Sequence, residues 1–104
     1  MTINSGGEKI FAEEVEAAIA GYPGVVDVVV AGRASERWGQ EVVAVVQLAE
    51  GTNEDAAAIV EHASAFIARY KLPKDVVFVP LVVRSPAGKA DYRWARSVAE
   101  GTES

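Results

Sequence analysis

The sequence predicts an α+β domain, in which a small, mainly three-stranded sheet has helices packed against it and a short hairpin precedes it. Valine-rich segments at residues 25–31 and 40–48 are typical of strands. Apolar residues that recur every three or four positions before and after these runs indicate amphipathic helices. The chain has 104 residues, half of them hydrophobic, and this length suits one domain with its own core.

The first elements are a hairpin and a helix. Residues 1–10 form the predicted hairpin, because Ile3 and Ile10 flank a turn made by Gly6 and Gly7. The helix that follows ends at residues 21–24, where two glycines and a proline interrupt the pattern. Its apolar face comprises Phe11, Val15, Ala18, Ile19 and Tyr22.

The middle of the chain predicts two strands and a long helix. The valine-rich run at residues 42–46 indicates a central strand that is buried on both faces. Thr52, with Asp55 three residues later, predicts a capping box for the longest helix. Leu72 ends that helix, because the residue before a proline is disfavoured in the α region. The predicted apolar stripe of the helix comprises Ile59, Ala63, Phe66, Ile67 and Tyr70.

A third core strand, a turn and a last helix complete the prediction. The strand spans residues 76–79, and Asp91 is placed to cap a helix that carries Trp94 and Val98 on one face. Residues 100–104 are small and polar, so we expect a frayed tail.

Composition excludes several classes of function. The 15 acidic residues against 10 basic ones leave a formal charge of −5, which argues against a nucleic-acid surface. There is no cysteine, and the lone His62, expected on the surface, predicts no histidine-based metal site. The apolar runs are too short for a transmembrane segment. We therefore expect a cytoplasmic protein.

The segment at residues 84–92, RSPAGKADY, places one lysine on a turn shaped by Pro86 and Gly88 immediately before the last helix. Lys89 has a compact charge on a flexible stem, which suits contact with a phosphate or a carboxylate. By residue type alone, a solvated lysine in an ordinary turn is the favoured explanation, because such turns are polar by default.

Five motifs in order give the chain a family resemblance. INSGGEKI at residues 3–10 and RSPAGKADY resemble the C-terminal domain of the acyl-adenylate-forming superfamily, which includes acyl-CoA synthetases, luciferases and peptide-synthetase adenylation domains. PGVVDVVV, WGQEVVA and YKLP match between these ends, so that the resemblance covers about residues 3–98. The chain looks most like a fatty-acyl-CoA synthetase.

The resemblance implies a mobile lid domain at residues 11–99 of an acyl-CoA ligase, which converts fatty acid, ATP and CoA to acyl-CoA, AMP and pyrophosphate through acyl-AMP. Lys89 would contact the acyl carboxylate and the α-phosphate in the first step. Gly6 and Gly7 would line the tunnel for the pantetheine arm of CoA in the second. CoA contacts are also expected of Glu8, Lys9 and Lys71.

We expect a large N-terminal domain to precede this piece, with Met1 and Thr2 in the place of the family's hinge. That domain would be the main partner and would hold Mg²⁺, while ATP and CoA are substrates and acyl-AMP is the intermediate. The isolated piece is expected to be inactive and to bind none of them. Two alternatives stay open: the equivalent part of a peptide-synthetase adenylation domain, and a stand-alone α+β interaction module. Trp38 could pack on the neighbouring domain or on the CoA adenine, or simply cover the sheet edge, and the structural role is favoured.

Overall fold

The computed structural model describes residues 1–102. Five strands, three helices and one 3₁₀ turn follow one another along the chain. They are β1 (Thr2–Ser5), β2 (Glu8–Phe11), α1 (Ala12–Ala20), β3 (Val25–Ser35), β4 (Gly39–Leu48), α2 (Ala56–Ala63), the 3₁₀ turn Arg69–Lys71, β5 (Asp75–Phe78) and α3 (Tyr92–Ala99). The predicted α+β class is confirmed.

β4 is the centre of a mixed five-stranded sheet. It pairs antiparallel with β3 along nearly its whole length and parallel with β5 from Val43 to Val46. The β1–β2 hairpin joins the same sheet through one pair of residues, Ser5 and Gly39. Three main strands and a short hairpin therefore form the sheet, as the sequence predicts.

The core has a layer on each face of this sheet, because side chains alternate along a strand. One layer packs β3 and β4 against α1 and α2, and the other packs the same strands against α3. Burial on both faces explains the unbroken valine run of β4. The first layer includes Val28, Val30, Val42, Ala44 and Val46, and the second includes Val29, Ala31, Val45, Val82, Ala95 and Val98.

Helix α1 buries most of the predicted apolar face, including Val15, Ala18 and Ile19. The prediction was wrong for Phe11, which is 52% exposed. Phe11 ends β2 and pairs with Thr2, so it alternates with the buried Ile10 and faces outward.

Helix α2 is shorter than predicted. Its N-cap is Asp55, whose side chain accepts a hydrogen bond from the Ala58 N–H at 3.0 Å, so Thr52 is not the cap. The helix ends at Ala63, and the chain continues through turns into the 3₁₀ segment. Phe66 and Tyr70 therefore lie beyond the helix and are exposed. The helical spacing of apolar residues continues in the sequence past Ala63, but the backbone there is no longer an α-helix.

The last helix begins as predicted. The Asp91 carboxylate accepts a hydrogen bond from the Trp94 N–H at 3.0 Å, and Val98 is buried. The N–H groups of residues 100–102 still bond to carbonyls of α3. The last two residues of the predicted tail, 103 and 104, lie outside the described residues.

Candidate functional site

The lysine turn, residues 84–90, is closed by its own hydrogen bonds. The Ser85 N–H donates to the Lys89 carbonyl at 2.9 Å, and the Lys89 N–H donates to the Ser85 hydroxyl at 3.2 Å. Gly88 has φ of 80°, a left-handed conformation that favours glycine. A single bridge pairs Arg84 with Ala90 at the base of the turn. The backbone of Lys89 is thus defined although its side chain is exposed.

The Lys89 ammonium has no ion-pair partner among residues 1–102. By contrast, Arg33, Lys71 and Arg84 each bind a carboxylate within 3 Å. The charge of Lys89 is therefore available to an external anion.

One side chain ties the lysine turn to the sheet. The Arg84 guanidinium donates to both carboxylate oxygens of Asp27 on β3, from Nε at 2.8 Å and from Nη2 at 2.6 Å. Its third nitrogen, Nη1, lies 3.4 Å from the Gly88 carbonyl oxygen. The hydrogen bonds from Arg84 lower the pKa of the Asp27 carboxyl.

A second anchor follows the turn. The Tyr92 hydroxyl, at the start of α3, donates to Glu13 at 3.1 Å and lies 3.4 Å from Glu16. Glu16 also accepts a hydrogen bond from the Val30 N–H on β3 at 2.9 Å. Burial raises the pKa of the Glu16 carboxyl and also that of the Tyr92 hydroxyl. The segment that carries Lys89 is held on both sides.

The glycine loop, Gly6-Gly7, lies directly against Trp38. Both glycines have positive φ, 58° and 83°, and the Gly6 N–H donates to the Trp38 carbonyl at 2.8 Å. A Cβ on Gly6 would lie 2.8 Å from Cε3 of the indole, whereas a Cβ on Gly7 would meet nothing within 4 Å. Gly6 is therefore required for close packing, and Gly7 borders open space.

Two cations flank the indole ring beside this loop. The Arg37 guanidinium lies 4.7 Å and the Lys74 ammonium 5.3 Å from the ring of Trp38. A shallow pocket of about 110 Å³ opens here, lined by Ser5, Gly6, Glu8, Trp38, Tyr70 and Lys74. Lys74 was not predicted as a site residue, because it directly follows the YKLP motif but only the fold brings it beside Trp38.

The residues predicted to bind CoA divide into two groups. Gly6 and Glu8 line the pocket, and Gly7 lies in the same loop. Lys9 is exposed on β2 outside the pocket lining. Lys71 instead binds the Glu14 carboxylate at 2.9 and 3.0 Å, and this hydrogen bond raises the pKa of its ammonium.

His62, expected on the surface, is half-buried between the rings of Tyr22 and Phe66, with centroid distances of 5.5 and 5.3 Å. In residues 1–102 no group of three acidic, histidine or cysteine side chains is arranged to hold a metal ion. Across the same residues, no helix has the length and apolar character needed to cross a membrane.

The sequence profile of the AMP-binding enzyme C-terminal domain family matches residues 14–89, which end at the lysine of the turn. The Medium-chain acyl-CoA ligase Mig of Mycobacterium avium is 69% identical over 97 residues, 93% of this chain and 18% of that protein. The Medium/long-chain-fatty-acid--CoA/3-oxocholest-4-en-26-oate--CoA ligase of Mycolicibacterium smegmatis is 51% identical over 100 residues, 96% of this chain and 18% of that protein.

A solved structure shows the same fold. The Mycobacterium tuberculosis fatty acyl CoA synthetase superposes with a TM-score of 0.88 at 38% identity, and the match covers 97% of this chain and 20% of that one. The chain thus spans about a fifth of the length of the relatives that it matches.

Proposed function

Because the chain belongs to the AMP-binding enzyme C-terminal domain family, we propose that it acts as the mobile C-terminal domain of an ATP-dependent acyl-CoA ligase. The proposed reaction joins a fatty acid to CoA through acyl-AMP, with release of AMP and pyrophosphate. The observation that supports this most is the exposed Lys89, which has no ion-pair partner within residues 1–102 and lies on a turn that is anchored at both ends.

In the first half-reaction, Lys89 contacts the acyl carboxylate and the α-phosphate of ATP. These two anions repel each other, and a cation between them offsets the repulsion. The same cation stabilises negative charge that grows on the phosphate in the transition state. A lysine suits this role because its charge is compact and its stem is flexible, while the closed turn fixes its Cα.

In the second half-reaction, the glycine loop lines the path of the CoA thiol. Gly6 and Gly7 let the backbone approach the pantetheine arm, which carries little charge. The Trp38 ring offers a flat surface to the nucleotide end of CoA, the neighbouring Arg37 and Lys74 offer positive charge, and Glu8 borders the pocket. Lys9 remains a candidate for a CoA phosphate, and Lys71 could reach one only by leaving Glu14.

The two candidate sites lie at opposite ends of the β3–β4 pair. The glycine loop joins β4 at Gly39, whereas the lysine turn is tied to Asp27, which pairs with Gln47. Eight residues of a strand span about 27 Å. One catalytic centre cannot contact both ends at once, so the domain is proposed to reorient between the two half-reactions.

The relatives favour this function over the alternatives. The curated relatives named above are CoA ligases, which supports free CoA over a carrier protein as the acceptor. The family match and the short span relative to those proteins disfavour a stand-alone interaction module. ATP and CoA are then substrates, and Mg²⁺ is assigned to an N-terminal domain. Location in the cytoplasm stays a prediction.

The decisive experiment times the two half-reactions separately in the full-length ligase. Lys89→Ala should lower adenylation, measured by ATP–pyrophosphate exchange, by about 10²–10³-fold. Thioester formation from supplied acyl-AMP and CoA should be largely retained. Arg93→Ala is the matched control, because Arg93 is an exposed cation four residues away. Equal loss of both steps in Lys89→Ala would mean that the lysine supports structure, and the assignment would fail.

A further inference from the structure

An ion pair that the proposed chemistry does not use connects the lysine turn to β3. We propose that Arg84 and Asp27 form a positioning pair, which holds the backbone of Lys89 in place for adenylation. This inference rests on the proposed function of Lys89. Neither residue of the pair is assigned a contact with substrate.

The geometry supports a positioning role because Arg84 spans the whole turn. It begins the turn in sequence, and its side chain reaches β3 through Asp27 and the tip of the turn through the Gly88 carbonyl. Gly88 directly precedes Lys89. A shift of Arg84 would therefore move the backbone that carries the lysine.

The residue types also suit a rigid connection. A planar guanidinium binds a carboxylate with two parallel hydrogen bonds, which fixes orientation as well as distance. Asp27 is itself oriented, because its carboxylate also accepts the Val28 N–H at 2.9 Å. It follows a register irregularity in β3 between Val25 and Asp27, and such irregularities re-aim side chains.

Loss of the pair should affect position more than folding. The hydrogen bonds between Ser85 and Lys89 close the turn without Arg84. Only the ion pair to β3 would be lost, because Ala90 of the turn also packs against the core layer that contains Val29 and Val45. A misplacement of about 1 Å in a catalytic group can cost roughly 10²-fold in rate. The Asp27 carboxylate also neutralises the charge of the Arg84 guanidinium by accepting hydrogen bonds from two of its nitrogens. This argues against Arg84 as a direct ligand of phosphate.

The test is a double-mutant cycle in the full-length ligase. Arg84→Ala and Asp27→Asn are each made alone and together with Lys89→Ala, and both half-reactions are timed. Each single variant should lower adenylation by about 10–100-fold. Thioester formation from supplied acyl-AMP should change less than about two-fold, which also shows that the variants fold. In the Lys89→Ala background neither change should have a further effect, because no lysine remains to be positioned.

A matched control comes from a second ion pair, which joins β3 to β4. Arg33 binds Glu41 at 2.6 Å and lies six residues along β3 from Asp27, so Glu41→Gln should leave the ratio of the two half-reaction rates unchanged. If Glu41→Gln changed that ratio as much as Arg84→Ala or Asp27→Asn does, the proposal would be overturned, because the effect would then reflect a general loosening of the fold.

Two other outcomes would also overturn it. If Arg84→Ala slows adenylation equally with and without Lys89, Arg84 acts on the substrate directly. If Arg84→Ala slows adenylation while Asp27→Asn does not, the ion pair between them is not what positions Lys89. Failure of the Lys89 assignment is separate, because it appears in Lys89→Ala alone as equal loss of both steps.

Discussion

At the scale of single residues, three carboxylates hold the segment that carries Lys89. Glu13 and Glu16 on α1 bind the Tyr92 hydroxyl, and Asp27 on β3 binds Arg84. Their environments differ, because Asp27 gains hydrogen bonds from a cation whereas Glu16 loses solvent. The pKa of Asp27 is lowered as a result, and that of Glu16 is raised.

The lowered pKa of Asp27 predicts a defined dependence of stability on pH. A carboxyl with a folded pKa below its unfolded value of about 3.9 stabilises the fold above that pH, and this contribution is lost as the pH falls through the folded pKa. The difference in unfolding free energy between wild type and Asp27→Asn should thus be largest at neutral pH and shrink below about pH 4. Urea unfolding at pH 7 and pH 3 measures it. A difference that does not change with pH would contradict the ion pair as its source.

The glycine loop predicts unequal effects of adding one methyl group. Gly7→Ala should lower the free energy of unfolding by about 1–2 kcal/mol, because a left-handed residue with a Cβ is strained. Gly6→Ala should cost more, because the new Cβ would also meet the Trp38 indole at 2.8 Å. Both should slow thioester formation rather than adenylation. Equal destabilisation in urea unfolding would show that the indole moves away freely, and slower adenylation would remove the loop from the CoA path.

Local motifs were predictable at this scale, and distant partners were not. The lysine turn and the glycine loop were evident because Pro86, Gly88 and the glycine pair specify turns within a few residues. The partner of Arg84 is 57 residues away, and pairing at that distance depends on the strand register. Lys74 was missed for the same reason, since only the fold brings it beside Trp38.

At the scale of elements, two helices begin with an aspartate whose side chain caps the backbone. Asp91 caps α3 and Asp55 caps α2. The first cap was predicted, because the proline and glycine of the turn mark where the helix must start. The second was misassigned to Thr52, since Thr52 and Asp55 are both residue types that favour caps. A sequence pattern did not decide between them.

Asp91→Ala should lower the free energy of unfolding by about 1 kcal/mol, the usual cost of a lost cap. Asp55→Ala should cost a similar amount, since its carboxylate makes the equivalent hydrogen bond at 3.0 Å. Only Asp91→Ala should also slow adenylation, because Asp91 lies two residues after Lys89. Urea unfolding and ATP–pyrophosphate exchange measure the two effects, with Asp91→Asn as a variant that keeps an acceptor oxygen. Equal slowing by both alanine variants would mean that stability, rather than the start of α3, governs the rate.

At the scale of the whole molecule, the β3–β4 pair is the element that the other parts contact. Both strands contribute to both core layers. The glycine loop is joined to one end of the pair, and the lysine turn is joined to the other. The valine-rich run of β4 predicted this central position, because a strand that is buried on both faces has apolar residues in sequence instead of alternating apolar and polar ones. The separation of the two candidate sites followed only from the strand register, which sets where each loop meets the sheet.

This architecture predicts that the isolated chain folds cooperatively but does not bind ATP tightly. The two core layers share β3 and β4, so neither layer can unfold alone, and a stability of roughly 5–15 kcal/mol would be ordinary. The sequence has no P-loop or dinucleotide-binding fingerprint, and the proposed lysine supplies one contact to ATP rather than a pocket. Calorimetry at micromolar ATP should therefore show no saturable binding, while urea unfolding of the same sample shows one cooperative transition. Micromolar affinity in the isolated chain would contradict the proposed role as a mobile lid over a nucleotide site in another domain, because a complete nucleotide site would then lie within these residues.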